Sequence, residues 1–407
     1  MKLLVIGDGN SPTGFGRVTH SILERLPGSY DIHHLGINHR GDPHGTRWPI
    51  YPAGLHGDLY GLNRVAELVD KVRPDLVFAV CDPWILTRYA AALEPYRKTV
   101  RTVFYMPVEG MPMEPAVALG LRNIDRLVAY NHFGARALEA SFREAAEHDP
   151  TLSVRPIDVI PHGVDTKIFR PLAGPPPADR SAAKKRLLPD TPDFQDSFIV
   201  LNANRNQPRK RIDLTLQGFA RFAQGKPANV KLYLHMGLED CGWNLAALAQ
   251  RYGIEDRLIL TTTEPQLASE PVEKLNLIYN ACDVGINTAT GEGWGLVAFE
   301  HAATGAAQVV PRHTSCEELW EGAAELMEPS FTLTQEKILI EGHYVTPETV
   351  AASLETLYRD PERLRLRQRQ AYENATRPEY DWDRIAGQWS GLFEEVLATH
   401  PCCRAAA

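Results

Sequence analysis

Twice along this chain, short apolar runs alternate with amphipathic helical stretches, and that alternation leaves few folds open. In the first half KLLVIG (2–7), DIHHLGI (31–37), DLVFAVC (75–81), RTVFYMP (101–107) and RLVAYN (126–131) read as strands. Between them, RVTHSILERL (17–26) and NRVAELVDKV (63–72) carry apolar residues at helical spacing. The pattern predicts a parallel sheet with helices on both faces, where ligands gather at the carboxyl ends of the strands. The stretch AGPPPADR (173–180) then concentrates prolines that end any helix or central strand. Beyond it the alternation restarts with FIVLNA (198–203), VKLYLHM (230–236), RLILTT (257–262), DVGIN (283–287) and AQVVP (307–311). The expected class is α/β, with two doubly wound, Rossmann-like parallel-sheet domains facing a cleft. A length of 407 residues agrees, because a single core stops growing near ~250–300 residues.

Charge and cysteine usage narrow the function classes. A formal net charge of −8 offers no general attraction to phosphate backbones or anionic lipid. Six scattered cysteines without metal-like spacing fit reduced thiols, and with no stretch of 18 apolar residues and no signal-peptide pattern the expected location is the cytoplasm. The ending CCRAAA is not a CaaX box, and Cys402 and Cys403 are read as a disordered tail. Asp381-Trp382-Asp383 matches a metal-binding Asp-x-Asp string. It sits at the start of an apolar-striped helix (381–397), so it is read as a cap plus a solvated carboxylate, and no metal is expected.

Three stretches carry chemistry. NANRNQPRKRID (202–213) follows a strand and places Arg205, Arg209, Lys210 and Arg211 within seven residues. At a strand's carboxyl end such a cluster suits a diphosphate; Arg205 and Lys210 are the candidates, with Arg209 and Arg211 undecided. CDVGINTATGEGWGLVAFEHAATG reads as strand, loop and helix, its glycines Gly291, Gly293 and Gly295 letting backbone approach a ligand. The amides of Gly293, Trp294, Gly295 and Leu296 would face an anion, Glu292 would reach sugar hydroxyls, and Glu300 would accept from a ribose diol. GDGNSPTGFGRVTHSIL (7–23) is a glycine-rich loop running into a helix. As a motif it is weak, but Gly14, Phe15 and Gly16 would lie opposite the basic loop and close over phosphates or acceptor.

With these residues assembled, the chain resembles the retaining glycosyltransferases of GT-B fold, glycosyltransferase family 4 (group 1). The resemblance covers nearly the whole chain. It rests on IPHGVDTKIF (160–169), on the R-x4-K pair Arg205 and Lys210, and on LNLIYNACDVGINTATGEGWGLVAFEHAATGAAQVV (275–310), which follows the family's EGFGLxxxEAMAxGxPVV pattern nearly throughout. It implies sugar transfer from a nucleotide-diphosphate donor to an acceptor hydroxyl with retained configuration. Arg205 and Lys210 would hold the diphosphate, Glu292 the sugar and Glu300 the ribose, without metal or other cofactor. It also implies an acceptor-side domain over 1–172 completed by a terminal helix at 381–398, a linker over 173–194, and a donor domain over 195–380.

Departures fall mainly in the first domain. YMPVEGMP (105–112) has no histidine where many members carry one and presents Glu109, which is read equally as an acceptor- or sugar-orienting carboxylate and as a turn cap. Asp82, Asn131 and His132 are further cleft candidates. The base and sugar of the donor stay open, as does the acceptor: small molecule, glycan, protein or modified nucleobase. Two alternatives remain, a catalytically silent nucleotide-sugar-binding subunit and an epimerase or phosphorylase of the same fold.

Overall fold

The computed structural model describes residues 1–399 apart from 192, 193, 266, 267 and 337, so Cys402 and Cys403 lie outside the described residues. The chain forms two compact units. One comprises Met1–Gly163, Glu336–Ile340 and the segment from Trp382 onward, and the other Val164–Gln335 and Glu341–Asp381.

In the first unit the strands are β1 (Lys2–Asp8), β2 (Asp31–Ile37), β3 (Ile50–Pro52), β4 (Leu76–Val80), β5 (Arg101–Met106), β6 (Arg126–Ala129) and β7 (Asp158–Val159). They pair in the order β3-β2-β1-β4-β5-β6-β7, all parallel. Leu3, Leu4, Val5 and Ile6 are all fully buried, as strands covered on both faces must be, which is why β1 reads as an unbroken apolar run. The closing helix Trp382–Thr399 packs Trp389 against Phe78 of β4 and Tyr105 of β5, each ring pair 4.7 Å apart. A Cβ on Gly163 would stand 2.6 Å from the Trp382 indole, so the glycine of IPHGVD is demanded by the return of this helix.

The second unit's strands are β8 (Phe198–Asn202), β9 (Val230–Leu234), β10 (Leu258–Leu260), β11 (Val284–Ile286), β12 (Ala307–Pro311) and β13 (Glu325–Met327). Their parallel order is β10-β9-β8-β11-β12-β13, and a two-stranded antiparallel ribbon, β14 (Phe331–Thr334) with β15 (Glu341–Tyr344), follows. The proline-bearing stretch 173–180 leads into helix Ser181–Leu187. Arg180, buried, donates at 3.0 Å to the carbonyls of Tyr279, Asn280 and Thr304, which lie at and just beyond the carboxyl ends of two helices. One of these, Leu296–Ala302, carries Glu300, so Arg180 anchors a helix of the candidate site from behind.

Both sheets reverse their winding direction at one strand pair, β1/β4 in the first and β8/β11 in the second. In open parallel sheets, the carboxyl ends of such a pair frame the ligand crevice.

Candidate functional site

The second unit's switch point brings two loops together. The loop after β8 runs through a short 3₁₀ turn, Pro208–Lys210, and Arg211 then takes a left-handed conformation (φ +47°) that launches the helix Ile212–Ala223. Asparagines hold its root: Asn202 donates to Thr215 at 2.9 Å and accepts from the amide of Asn204 at 3.0 Å. From this loop the Lys210 ammonium donates to Glu292 Oε1, and Arg209 reaches Glu292 Oε2 at 3.2 Å and the carbonyl of Gly291. Asn287, at the end of β11, donates to Oε1 at 3.1 Å.

Glu292 is 3% exposed. Burial alone pushes its carboxyl up, but the charges of Lys210 and Arg209, with hydrogen bonds from Lys210 and Asn287, overcome that penalty and hold it down to about 2. The carboxylate is therefore ionised and fixed at neutral pH, with both oxygens engaged. The ion cluster stands on the ends of two adjacent strands, which is a rigid mount.

Its backbone is fixed just as closely. The amide of Glu292 donates to Thr314 Oγ1 at 3.1 Å, while its carbonyl accepts from Thr314 Oγ1 at 3.2 Å and from Ser315 Oγ at 2.6 Å. Thr314 itself has φ +47°. A β-branched residue there is a genuine outlier, a strain of about 1–3 kcal/mol that surroundings must hold in place. His313 Nε2 donates to the Ala289 carbonyl at 2.9 Å and its ring stacks on His343 with ring centres 5.2 Å apart; burial first of all lowers it to about 4, so it is neutral at pH 7.

The other expected donor-site residues are distributed as follows. Glu300 is 2% exposed, and the Tyr279 hydroxyl donates to it at 3.4 Å, so it is an interior carboxylate and not a helix-surface one. Gly295, with φ +88°, lets the chain turn into helix Leu296–Ala302. Trp294 is buried, stacked on Phe299 at 4.9 Å and edge-on to Tyr380, so any ligand contact in Gly293–Leu296 would come through backbone. Arg205 stands apart from the Lys210 cluster: its guanidinium forks onto Asp240 at 2.6 and 3.0 Å and is substantially exposed. The undecided Arg209 is thus the arginine that joins Lys210 at Glu292. Arg211 pairs with Asp213 and lies over the Trp243 and Tyr344 rings.

In the first unit, Thr13 caps the helix Gly14–Leu23 by accepting from the Gly16 amide at 3.0 Å, and Thr13 in turn donates to Asp8, which also accepts from Asn38 at 3.2 Å. A Cβ on Gly16 would sit 2.4 Å from the Ser11 carbonyl, so the turn requires that glycine without any ligand. Asn131 caps the helix His132–His148, accepting from the Gly134 amide at 2.9 Å. Asp82 and Glu109, at the ends of β4 and β5, line one cavity of about 130 Å³ together with Glu114. Asp383 pairs with Arg25 at 3.1 Å.

Sequence reasoning missed Asn287, His313, Thr314 and Ser315. A signal existed for the last three: PRHTS ends β12, the neighbour of β11, with small polar residues where strand ends carry function.

No protein-family model matches the chain. Over 308 residues it is 29% identical to the D-inositol 3-phosphate glycosyltransferase of Thermobispora bispora, a match covering 71% of this chain. The chain spans about three fifths (61%) of that relative's length. Among solved structures, Anabaena HepE in complex with UDP and glucose superposes with a TM-score of 0.69 at 18% identity, covering 97% of this chain and 100% of that one. Sucrose-phosphate synthase from Thermosynechococcus elongatus gives 0.70 at 16%, covering 98% and 99%. The fold is GT-B. GT-B here means two all-parallel sheets of seven and six strands, each with its own switch point.

Proposed function

We propose that the protein is a retaining glycosyltransferase that moves a sugar from a nucleoside-diphosphate donor to an acceptor hydroxyl without a metal ion. The observation that carries the reading is the triad formed by Lys210 and Arg209 on the buried Glu292 at the β8/β11 switch point of a GT-B fold. Two cations and one ionised carboxylate leave a local surplus of positive charge there, which suits a diphosphate. Lys210 acts as a point charge and Arg209 as a fork, and both stabilise the negative charge that grows on the departing diphosphate. That positive surplus takes the part a metal would otherwise play.

Glu292 has two tasks in this scheme. It holds Lys210 and Arg209 in place, and it accepts from hydroxyls of the donor sugar. Glu300, at the far end of the same loop and helix, accepts from the ribose diol, with Gly293–Leu296 backbone between them meeting the diphosphate. The acceptor hydroxyl attacks on the face from which the diphosphate leaves, so configuration is kept and no enzyme nucleophile is needed. Arg205 contributes to the diphosphate only by exchanging Asp240 for phosphate. Support for the class comes from the Thermobispora relative, named as a glycosyltransferase, and for the donor from the UDP-bound Anabaena neighbour.

The test is turnover of UDP-, GDP-, ADP- and TDP-sugars followed by mass spectrometry, with anomeric configuration read by NMR. Glu292→Gln and Lys210→Met variants that stay folded should lose transfer. Full activity in both, or an inverted product, would sink the proposal.

A further inference from the structure

Arg209 and Lys210 stand immediately before a sharp reversal of the chain at Arg211. This residue follows the turn Pro208–Lys210 directly and opens the helix Ile212–Ala223 at φ +47° and ψ +51°. A residue with a Cβ is strained there, whereas glycine adopts that conformation freely. The Arg211 guanidinium is already engaged: Nε and Nη2, the edge that would fork onto a phosphate, donate to the Asp213 carboxylate at 2.9 and 2.6 Å. The same group lies over the rings of Trp243, 5.8 Å away, and Tyr344, 5.2 Å away. Both rings are fixed in turn. Asn206 accepts from the Trp243 amide at 3.1 Å and donates to its carbonyl at 2.7 Å, and Tyr344 stacks on Phe331 across the β14–β15 ribbon at 5.1 Å.

The reversal is tied to the Glu292 loop through backbone. Thr288, just after β11, donates its hydroxyl to the carbonyls of Lys210 and Arg211 at 3.0 and 2.9 Å. The Thr290 amide donates to the Arg209 carbonyl at 2.9 Å, and the His343 amide of β15 donates to the Thr290 carbonyl at 2.8 Å. The basic turn, the loop that carries Glu292 and the ribbon therefore form one connected frame. If residue 211 left its left-handed conformation, the two residues before it would turn away from that frame, and their cations would no longer converge on Glu292.

We propose that Arg211 is a positioning residue of the donor site and not a diphosphate ligand: its side chain, braced by Asp213, Trp243 and Tyr344, holds the left-handed turn that aims Lys210 and Arg209 at Glu292. This rests on the donor-site reading and gives the fourth cation of the basic run a task that its charge alone does not suggest.

The experiment uses the full chain and two readouts, calorimetry with UDP, GDP, ADP and TDP, and denaturant unfolding as a function of pH. Glycine needs no brace at positive φ, so Arg211→Gly should bind the preferred nucleoside diphosphate within about threefold of wild type. Arg211→Ala keeps the strain and loses the brace, and it should bind about tenfold more weakly. Tyr344→Leu should weaken binding about fivefold and Tyr344→Phe should restore it, because the ring face is what braces the guanidinium. In an Arg211→Gly background, Tyr344→Leu should cost nothing further, the non-additivity expected of two residues acting through one turn. The pH readout needs no donor. Stability that wild type loses as pH falls from about 4.5 to about 2, the range set by the lowered Glu292 carboxyl, should persist in Arg211→Gly and shrink in Arg211→Ala as Lys210 and Arg209 disengage. Wild type that binds none of the four diphosphates would remove the donor-site reading, and the acid limb would then decide the positioning role by itself. Should Arg211→Ala fail to fold, Tyr344→Leu against Tyr344→Phe carries the same comparison. Equal affinity in Arg211→Ala and Arg211→Gly, an additive loss in the double variant, or an acid limb unchanged in Arg211→Ala would overturn the proposal.

Discussion

Two clusters at strand ends, one in each unit, use charge in different ways. At β8/β11 the charges are mutually satisfied: Lys210, Arg209 and Asn287 all converge on one buried carboxylate whose backbone is itself clamped by Thr314 and Ser315. At β4/β5 in the first unit three carboxylates share a cavity with an open indole and apolar walls. The first arrangement is preorganised for a ligand of fixed chemistry, and its cost is already met within the protein. On the donor-site reading, substitutions at the β8/β11 cluster should disturb donor binding more than substitutions around the β4/β5 cavity.

The largest effect should come from breaking the triad. Lys210→Met removes the main counter-charge to Glu292, and transfer should fall about 10²–10³-fold, as loss of one transition-state donor does. Leaving a buried charge without its partner also destabilises by on the order of 3 kcal/mol, so denaturant unfolding should accompany the kinetics. Acceptor KM should change far less than kcat; a variant altered only in acceptor KM would erase the distinction between the two regions.

Acid should reveal the same triad in stability. The Glu292 carboxyl lies at about 2, below its ordinary 4.5. A lowered carboxyl stabilises the fold above its unfolded value and loses that contribution as pH falls through the folded one. Stability worth roughly 3 kcal/mol should therefore disappear between about pH 4.5 and 2. Glu292→Gln should flatten that part of the pH–stability curve, and an identical slope in both proteins would contradict the assignment.

Thr314→Val keeps shape but strips the hydroxyl that serves the Glu292 amide, leaving a buried donor unpaired at about 1–3 kcal/mol. Transfer should drop about tenfold with donor KM rising, and Thr314→Ser should restore both. A rescue by Ser of stability but not of KM would show that Thr314 only supports the fold.

The smallest effect is expected at Arg205. Its pairing with Asp240 is exposed, so Arg205→Ala should cost less than about 1 kcal/mol of stability. Donor affinity should fall less in Arg205→Ala than in Arg209→Ala, measured side by side by calorimetry. The reverse order would return the diphosphate to the R-x4-K pair that the sequence pattern favours.

What was legible in the sequence follows from burial. β1, β4 and β8 lie inside a parallel sheet and read as continuous apolar runs, so their positions were plain. β3 and β7 hold three and two residues at the edges, too short to leave a period. The β14–β15 ribbon was hidden because Phe331 and Leu333 are exposed and FTLT against EGHY carries no clear alternation of core and solvent faces. At the site, Glu292 and Lys210 stood out by residue type after a strand. The choice between Arg205 and Arg209 could not, because four cations in one run look alike until a turn at Pro208–Lys210 aims them. Thr314 was missed for a different reason: nothing in its residue type announces a left-handed conformation.

The central claim is that Lys210, Arg209 and Glu292 form a donor site for a nucleoside-diphosphate sugar. It is tested most directly by thermal unfolding of wild type and Lys210→Met with UDP-, GDP-, ADP- and TDP-sugars. At a hundredfold excess over Kd, a true donor should stabilise the wild type by about 2.7 kcal/mol, a rise of several degrees in Tm. The variant should show little or none of that rise. An equal rise in both proteins, or no rise with any of the four donor classes, would contradict the account.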